Sequence, residues 1–510
     1  MSTTPHIPAA LTAPHMVVVA CCLLFTVTFA AEVAEFHFDP LRAEETTFQN
    51  RADVVQFIDE TDMSIGRAIA YIAWRELFGS IQDLPSSGTK LLTFDDDPII
   101  QNKIVHEYNY DVARIANEHC ADFVLWGVVR EVDDAVLLWS YVAVSDNKIG
   151  PGLEVRIQIE GDRRHNIVAR LPQKQFNFTP LRVQLPEFGH RRWFVRRPGA
   201  NIFASPNADL SRMGTLKLQS HFDSREIADK WVRLDDQDGG DQFVELWPLD
   251  LLPETAFHPE NVQLWARPTR GSAKVPVDAR NATAVVENQA YVGDSEIKWF
   301  EVNIGDQRGW LPAENVVTSQ QLPAGYLLAA MLRFQGERFR RTIDEVSLFL
   351  KDGRETDNAI LAFANELRAA AELMVGDTSP ELSSLIQDWL DTAVELTPYD
   401  PAAYRLRAVA QVAQGDNWRG VIDDLLTASQ LDRRDRETHT IVKSLIGLIT
   451  DDTFRKAIRP GPEGLNVEDI HAQLIHVQSQ LLPVIDAAGE KGCAIVGNNG
   501  CVCHESEDRR

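Results

Sequence analysis

The sequence predicts a multi-domain α+β protein with a small α/β domain, two small β-barrels and a C-terminal series of α-helical hairpins. The chain has 510 residues, and at roughly 100–200 residues per domain it is long enough for several domains. Helix and strand signals alternate over residues 52–185. From residue 192 the segments are short and strand-like, and from Pro323 they are helical and rich in Ala and Leu.

The composition is that of a globular protein with a strongly acidic balance. Hydrophobic residues make up 44% of the chain, and the formal net charge is −25. Because an acidic surface repels phosphate backbones, we expect no nucleic-acid partner. Two short basic clusters, 163–165 and 190–192, are interpreted as solvated turns.

Residues 1–31 are predicted to be a signal peptide or an N-terminal anchor. Met16–Ala30 is an apolar run that is shorter than the roughly 20 apolar residues of a membrane-spanning helix. It ends in two alanines, which is typical of a secretory signal cleaved near Ala30 or Ala31. Residues 1–15 contain no Lys or Arg, so an uncleaved inner-membrane anchor is an alternative, and lipidation at Cys21 is a third possibility. The predicted localisation is periplasmic or otherwise extracytoplasmic.

Residues 32–188 are predicted to form the α/β domain, with the element order β-α-β-α-β-β. The second helix begins at Asp95 and runs to about His119. Residues 122–129 and 136–144 then form a hairpin. Two further strand candidates follow at Leu153–Ile159 and Asn166–Leu171.

The strand at Ala121–Val129 carries a family resemblance. It reads ADFVLWGVV and resembles the N-terminal domain of TolB-type periplasmic proteins and the related CsgG- and FlgO-like envelope domains. In these domains a helix leads into a strand that starts a hairpin. The resemblance implies a module for protein interaction in the cell envelope. The alternative is an unrelated small α/β domain with a central hairpin.

Residues 260–320 carry the clearest motif of the chain. Val262–Pro268 opens the unit, Trp299–Val302 and Gly309–Pro312 close it, and Gly305-Asp306 supplies a turn between the last two segments. This order resembles that of bacterial SH3 (SH3b) domains, which are small barrels with a Trp strand followed by a Gly-Trp strand. The resemblance implies binding to cell-wall peptides or to protein segments.

Residues 190–256 resemble a diverged copy of the same SH3-like barrel. Lys230–Leu234 matches the Trp strand, but Phe243–Pro248 replaces the Gly-Trp strand. A barrel of this size has a small core, and a buried Trp supplies much of it. Trp299 and Trp310 are therefore predicted to be mainly core residues, with ligand binding by them or by Trp265 as the alternative.

Residues 322–490 are predicted to be helical and tetratricopeptide-like. Tyr404–Ala413 and Trp418–Leu431 are separated by Gly415, and the stretch from Asp400 to Asp432 resembles one tetratricopeptide repeat. Such repeats present concave surfaces that bind proteins, and about three must stack for stability. Candidate neighbours are the helices predicted at 356–373, 384–396 and 467–488. An irregular helical bundle is the alternative.

The tail at 491–510 contains Cys493, Cys501 and Cys503. A turn signal at 497–500 predicts a local disulfide from Cys493 to one of the other two. Free thiols are an alternative, and so is a metal site made by Cys501, Cys503 and His504, but no metal site is predicted.

No catalytic motif is recognised in the sequence. A phosphate-binding loop, a nucleophile elbow and a zinc-binding His pair are all missing. Asp95–Asp97 is explained by helix capping, with a cation site as the alternative, and Cys120 is interpreted as a buried thiol. We therefore predict a protein that is not an enzyme and needs no cofactor.

The sequence as a whole predicts an exported binding or scaffold protein of the bacterial cell envelope. The expected partners are peptidoglycan or envelope proteins, with membrane contact only through an uncleaved N-terminus. One alternative is an accessory subunit of an envelope secretion or surface assembly. Another is a cell-wall hydrolase with unrecognised catalytic residues.

Overall fold

A computed structural model describes most of the chain between residues 50 and 481, and the short segments 493–495 and 501–503. The segments it does not describe within 50–481 are 62–64, 82–83, 85–86, 94–120, 134, 146–152, 161–163, 172–174, 185–188, 207–211, 235–239, 258–261, 278–282, 294–296, 319, 321, 377–378, 416 and 458–464. The predicted signal segment, the helix predicted at 95–119 and Cys120 therefore lie outside the described residues.

The N-terminal region contains a mixed sheet, one described helix and a separate hairpin. Its elements are β1 (Asn50–Val55), β2 (Ile58–Asp59), α1 (Gly66–Ile81), β3 (Ser87–Gly88), β4 (Leu91–Leu92), β5 (Phe123–Val132), β6 (Ala135–Val144), β7 (Glu154–Glu160), β8 (Arg164–Arg170), β9 (Phe176–Asn177) and β10 (Leu181–Gln184). The sheet follows the order β10-β6-β5-β1-β3, with β2, β4 and β9 paired at its sides. Among the described strands, β7 and β8 pair only with each other.

The central hairpin β5–β6 confirms the hairpin predicted at 122–129 and 136–144. Its register runs from Phe123 opposite Val144 to Val132 opposite Ala135. Gly127 is required within it, because a Cβ there would lie 2.2 Å from the carbonyl oxygen of Trp139 and 2.4 Å from the ring of Phe57. The first seven residues of β5 are buried, as expected for a strand that is covered on both faces.

Two antiparallel sheets of seven described strands follow, and they share one topology. The second sheet contains β11 (Arg192–Val195), β12 (Asn201–Phe203), β13 (Arg212–Thr215), β14 (His221–Ala228), β15 (Trp231–Leu234), β16 (Phe243–Glu245) and β17 (Leu249–Leu251). The third contains β18 (Thr255–Phe257), β19 (Leu264–Trp265), β20 (Lys274–Val275), β21 (Thr283–Val292), β22 (Ile297–Ile304), β23 (Gln307–Pro312) and β24 (Val317–Thr318).

The strand orders are β13-β12-β16-β15-β14-β11-β17 and β20-β19-β23-β22-β21-β18-β24. The third strand of each unit is therefore at one edge, and the seventh is at the other. Neither sheet is closed along this path, so the prediction of two closed SH3-like barrels is not confirmed. The third sheet also begins at Thr255, inside the range that the sequence analysis assigns to the first barrel.

The C-terminal region is helical, as predicted. Its helices are α2 (Pro323–Gln335), α3 (Phe339–Asp352), α4 (Asn358–Val375), α5 (Pro380–Leu396), α6 (Pro401–Gln414), α7 (Trp418–Leu431), α8 (Arg436–Ile449), α9 (Asp452–Ala457) and α10 (Val467–Gln480). Consecutive helices from α2 to α7 pack as hairpins, and α10 packs against α7 and α8. The helix pair predicted around Gly415 is present as α6 and α7.

The ends of these helices follow local sequence signals. Asp357, Ser379 and Asp400 cap α4, α5 and α6 by accepting hydrogen bonds from backbone N–H groups of the first turn. Gly415 ends α6 with φ at 83°, a conformation that favours glycine. No helix in the described part of the chain is long and apolar enough to cross a membrane.

One hydrophobic core joins three of the predicted domains. It contains Val54 of β1, Trp193 of β11 and Leu327 of α2, all of which are fully buried. Helix α1 lies at the centre of this core and packs against α2, β1 and β17. The third sheet has its own core, which includes Val286, Phe300 and Leu311.

Candidate functional site

The three predicted tryptophans lie in the third sheet. Trp299 on β22 is only 3% exposed, whereas Trp265 on β19 and Trp310 on β23 are half-buried. Trp265 lies directly opposite Trp310 in the strand register, and its ring packs edge-on against Trp299 at 5.6 Å. The fold thus brings all three candidates together, with two of them partly accessible.

The Trp310 side chain lies on the face of the sheet that is turned away from its core. Glu301 is the register partner of Trp310, and the core residues Phe300 and Val302 flank Glu301 in the strand, so they point to the opposite face. Glu301 accepts a hydrogen bond of 2.8 Å from Arg308 Nε. This face combines the half-buried Trp310 with an ion pair, a combination that suits contact with a polar peptide.

A buried charged cluster joins the second and third sheets. Asp250 of β17 accepts hydrogen bonds from Lys298 Nζ at 3.1 Å, from Gln289 Nε2 at 3.3 Å and from the Tyr291 hydroxyl. Asp250 is 3% exposed and Lys298 is 5% exposed. The donors come from β21 and β22, so one carboxylate fastens two sheets to each other.

Helix α1 extends this cluster toward the N-terminal region. The Tyr71 hydroxyl lies 2.7 Å from the carbonyl oxygen of Leu246, to which it donates. Arg75 Nε donates to the same hydroxyl at 2.8 Å, and the Arg75 guanidinium lies 4.5 Å above the Trp74 ring. The helix is therefore tied to the chain just before β17.

The charges of the cluster determine its protonation. Burial alone would raise the pKa of Asp250, but the cations of Lys298, Arg75 and Arg196 outweigh it and hold the pKa well below its ordinary value. Burial lowers the pKa of Lys298. Burial and the charge of Asp250 raise the pKa of Tyr291 well above its ordinary value, so the phenol stays protonated and donates.

A cavity of about 210 Å³ lies beside this cluster, between α1, β17 and β22. Its lining includes Arg75, Glu76, Arg192, Asp250, Lys298 and Phe300. Lys298 and Asp250 are paired with each other, and Arg192 donates to the carbonyl oxygens of Val286 and Glu287. These polar groups therefore connect elements, and we assign the cluster to structural cohesion. Among the described residues no group of His, Cys, Asp and Glu is placed to hold a metal ion.

One surface of the helical array, formed by α4, α6 and α8, is covered by the N-terminal region. Phe176 of β9 packs against Phe363 of α4 at a ring distance of 4.7 Å, and the hairpin β7–β8 packs on α4, α6 and α8. The surface that these three helices present to the hairpin is thus covered by the chain itself.

The basic clusters at 163–165 and 190–192 contain strand residues where the sequence predicts solvated turns. Residue 163 lies outside the described residues. Arg164 and His165 begin β8, and His165 Nε2 lies 3.1 Å from Asp451 Oδ2. Arg192 begins β11 and is half-buried. Both clusters form hydrogen bonds with residues that are distant in the sequence. A local charge pattern cannot predict such contacts.

Four large apolar side chains of the helical array are exposed. Tyr399 is 85% exposed, Ile475 of α10 is 44% exposed, Leu385 of α5 is 38% exposed and Leu431 of α7 is 37% exposed. Tyr399 and Leu431 lie at the same end of the array, because α5 and α7 run in the same direction. At that end, an ion pair joins Arg405 in α6 to Asp435, the residue before α8, and so connects the starts of these two helices.

The tail cysteines lie in a short hairpin of β25 (Cys493–Ile495) and β26 (Cys501–Cys503). Its register places Cys493 opposite Cys503 and Ile495 opposite Cys501. The turn predicted at 497–500 and His504 lie outside the described residues. The fold therefore returns the chain in the way that the sequence predicts, while the disulfide stays a prediction.

Comparison with known proteins gives only distant similarity. No family model matches the sequence, and no curated protein matches it. Among solved structures, MamA from Desulfovibrio magneticus RS-1 is 14% identical and has a TM-score of 0.22, with 31% of this chain and 76% of that chain covered. NlpC2 from Trichomonas vaginalis is 10% identical, with a TM-score of 0.14 over 31% of this chain and 56% of that chain.

A complex of the TPR2AB domain of yeast Sti1 is 11% identical to this chain, with a TM-score of 0.12 over 31% of this chain and 85% of that chain. TM-scores this low do not establish a common fold.

Proposed function

We propose that the protein is a non-enzymatic scaffold that binds other proteins through the end of its helical array that carries Tyr399 and Leu431. The observation that carries the proposal is the exposed end of the array, where Tyr399, between α5 and α6, and Leu431, the last residue of α7, are accessible to a partner. Exposed aromatic side chains are frequent in protein interfaces, because they bury a large area at low entropic cost.

The third sheet is proposed as a second binding surface, of the SH3-like kind. The motif order from Val262 to Pro312 and the accessible pair of Trp265 and Trp310 support this proposal. The expected ligand is a cell-wall peptide or an extended protein segment. The second sheet lacks the Gly-Trp strand, so we assign no ligand to it.

The proposed location is the bacterial cell envelope, after export. The apolar run at Met16–Ala30 and the cysteines of the C-terminal tail support this location, since exported proteins can keep disulfides. The role as an accessory subunit of an envelope assembly is the same proposal with a defined partner.

Site-specific photo-crosslinking tests the scaffold proposal. A benzoylphenylalanine at position 399 of the full chain is expected to give one reproducible crosslinked protein in the cells that naturally produce this protein. Met213 is 61% exposed on β13 of the second sheet, and the same probe at 213 serves as the matched control. Equal crosslinking patterns at 399 and 213 would contradict a binding surface at Tyr399.

Co-sedimentation with insoluble peptidoglycan tests the third sheet. The full chain is expected to pellet with the polymer, and Trp310→Ala is expected to reduce the pelleted fraction several-fold, while Trp247→Ala in the second sheet should not. If the unsubstituted full chain does not pellet, the ligand of the third sheet is to be sought among protein segments. Release of soluble wall fragments would support the hydrolase alternative instead.

A further inference from the structure

The turn between α5 and α6 and the turn between α7 and α8 are held close together at one end of the helical array. They comprise residues 397–400 and 432–435. Arg405 of α6 forms an ion pair with Asp435 of the second turn, and the exposed fractions of the two side chains are only 8% and 11%. This shielded ion pair fixes the two turns relative to each other. We call residues 397–400 and 431–435 the two-turn surface.

The first turn holds Tyr399 in an ordered and exposed position. The backbone N–H of Asp400 donates to the carbonyl oxygen of Thr397 at 3.0 Å, and the Tyr404 hydroxyl donates to the carbonyl oxygen of Pro398 at 3.2 Å. The residues on both sides of Tyr399 are therefore bound in place, while the Tyr399 side chain itself is exposed. A side chain that is presented by an ordered turn loses less conformational entropy when a partner binds to it.

The second turn carries arginines that its own carboxylates do not neutralise. Arg433 and Arg434 are exposed, and within the described part of the chain neither guanidinium forms a hydrogen bond or an ion pair. The carboxylate of Asp435 is used by the ion pair to α6, and the exposed Asp432 accepts a hydrogen bond of 2.9 Å from the backbone N–H of Arg434. Arg436, exposed at the start of α8, adds a third positive charge. The turn is therefore cationic, although the formal net charge of the chain is −25.

Apolar and cationic groups thus occur together on the two-turn surface. Leu431 is exposed at the end of α7 and is followed closely in the chain by Arg433, while Tyr399 lies at the same end of the array. An acidic protein repels other acidic molecules at long range, so a cationic area gives such a molecule one favourable place of approach. The exposed apolar side chains can then add contacts that do not depend on charge.

Other kinds of partner fit this end of the array less well. Nucleic acids bind through many phosphate contacts, and the net charge of −25 opposes their approach. A ligand for the surface of α4, α6 and α8 would have to displace the hairpin β7–β8, which packs on these helices. An acidic segment of a protein needs only a short cationic surface with an apolar contact beside it.

We propose that the two-turn surface binds a short acidic segment of a partner protein. Acidic side chains of the segment pair with Arg433 and Arg434, and a neighbouring aromatic or large aliphatic side chain packs on Tyr399 and Leu431. Arginine suits this role because its guanidinium forms two parallel hydrogen bonds with one carboxylate. This inference rests on the proposed function, since it names the chemistry of the partner at the same surface.

The test selects ligands for the full chain from a phage library of random short peptides. The library is first depleted on the full chain with Arg433→Glu and Arg434→Glu, which removes peptides that bind elsewhere. Because neither guanidinium has a partner among the described residues, this double variant should keep the fold, and circular dichroism checks it. We expect the peptides enriched on the unsubstituted chain to carry Asp or Glu beside an aromatic or large aliphatic residue.

Fluorescence anisotropy of the labelled peptides then locates the binding site. The Arg433→Glu and Arg434→Glu variant should weaken binding by about 10-fold, because two attractive contacts become repulsive. Tyr399→Ala should also weaken it, through loss of the aromatic contact. The combination of Lys217→Glu and Arg340→Glu changes the net charge equally at exposed positions of the second sheet and of the start of α3, and it should leave the affinity unchanged. Added salt should weaken binding, since the ion pairs are exposed.

Several outcomes would overturn the inference. The two-turn surface is not a site for acidic segments if no peptide is enriched, if the enriched peptides lack acidic residues, or if Tyr399→Ala binds them with unchanged affinity. Tighter binding of a single-stranded RNA oligonucleotide, weakened by the same double variant, would assign the surface to nucleic acid. Crosslinking at position 399 in cells reports separately on the proposed function. A partner crosslinked there through a segment without acidic residues would keep the proposed function and contradict this inference.

Discussion

At the residue scale, the arrangement of the molecule depends on Asp250. Its carboxylate accepts hydrogen bonds from two strands of the third sheet, while helix α1 contacts the backbone next to it. The local sequence Leu249-Asp250-Leu251 indicates a short strand. It does not indicate that Asp250 is buried, because its partner Lys298 is distant in the chain and acidic residues are frequent throughout.

Asp250→Asn is expected to destabilise the protein strongly. The substitution keeps the shape of the side chain but leaves Lys298 buried without its counter-charge, which costs on the order of 3–5 kcal/mol. Urea unfolding followed by circular dichroism measures the change in the free energy of unfolding. Asp223→Asn, at an exposed position of β14, is the matched control and should change it by less than about 0.5 kcal/mol.

A double variant distinguishes loss of the ion pair from a general packing defect. Asp250→Asn combined with Lys298→Met removes both charges and should recover much of the stability that the single variant loses. If the double variant is as unstable as the single variant, the uncompensated charge of Lys298 is not the cause.

At the element scale, the sequence predicts individual strands and helices better than their partners. The hairpin β5–β6, the strand candidates near 153–171 and the helix pair around Gly415 all occur close to their predicted positions. Alternating and helical periodicities are local properties, so a single sequence contains them. The docking of β7–β8 on helices more than 200 residues away is not local, and an amphipathic strand does not specify which apolar surface it covers.

The tail hairpin leads to a specific prediction about the cysteines. Because Cys493 faces Cys503 in the register, we expect a disulfide between these two residues, with Cys501 left as a thiol. Peptide mapping by mass spectrometry of the protein, purified and alkylated without reduction, would identify the pair. A Cys493–Cys501 bond, or alkylation of all three residues, would contradict it.

At the scale of the whole molecule, three of the predicted domains contribute to one hydrophobic core. The α/β region, the second sheet and the helices share one core, whereas the sequence predicts separate modules. The hydrophobic periodicity of each segment predicts its own helices or strands. It does not show which surfaces of different modules pack together. The tryptophans of the third sheet are predicted because they belong to a recognisable motif. The exposed Tyr399 belongs to no motif, so the sequence does not single it out.

A chain of residues 32–320 is therefore expected not to fold as a stable monomer. It lacks the helices that cover α1 and Phe176, so its exposed apolar surface should cause aggregation or loss of a cooperative thermal transition. Gel filtration and thermal unfolding measure this, with residues 32–490, which begin at the same residue and keep the helices, as the matched control. A monomeric, cooperatively unfolding 32–320 fragment would show that the shared core is not needed.

The contact between His165 and Asp451 also has a consequence for the time course of synthesis. The two residues are 286 positions apart, and at roughly 5–20 residues per second a ribosome needs about 15–60 seconds to make the intervening chain. During that interval the aliphatic face of β7–β8 has no helices to cover it. A newly made chain must therefore have this face protected by a chaperone, or leave it exposed to aggregation, until the helices have been made.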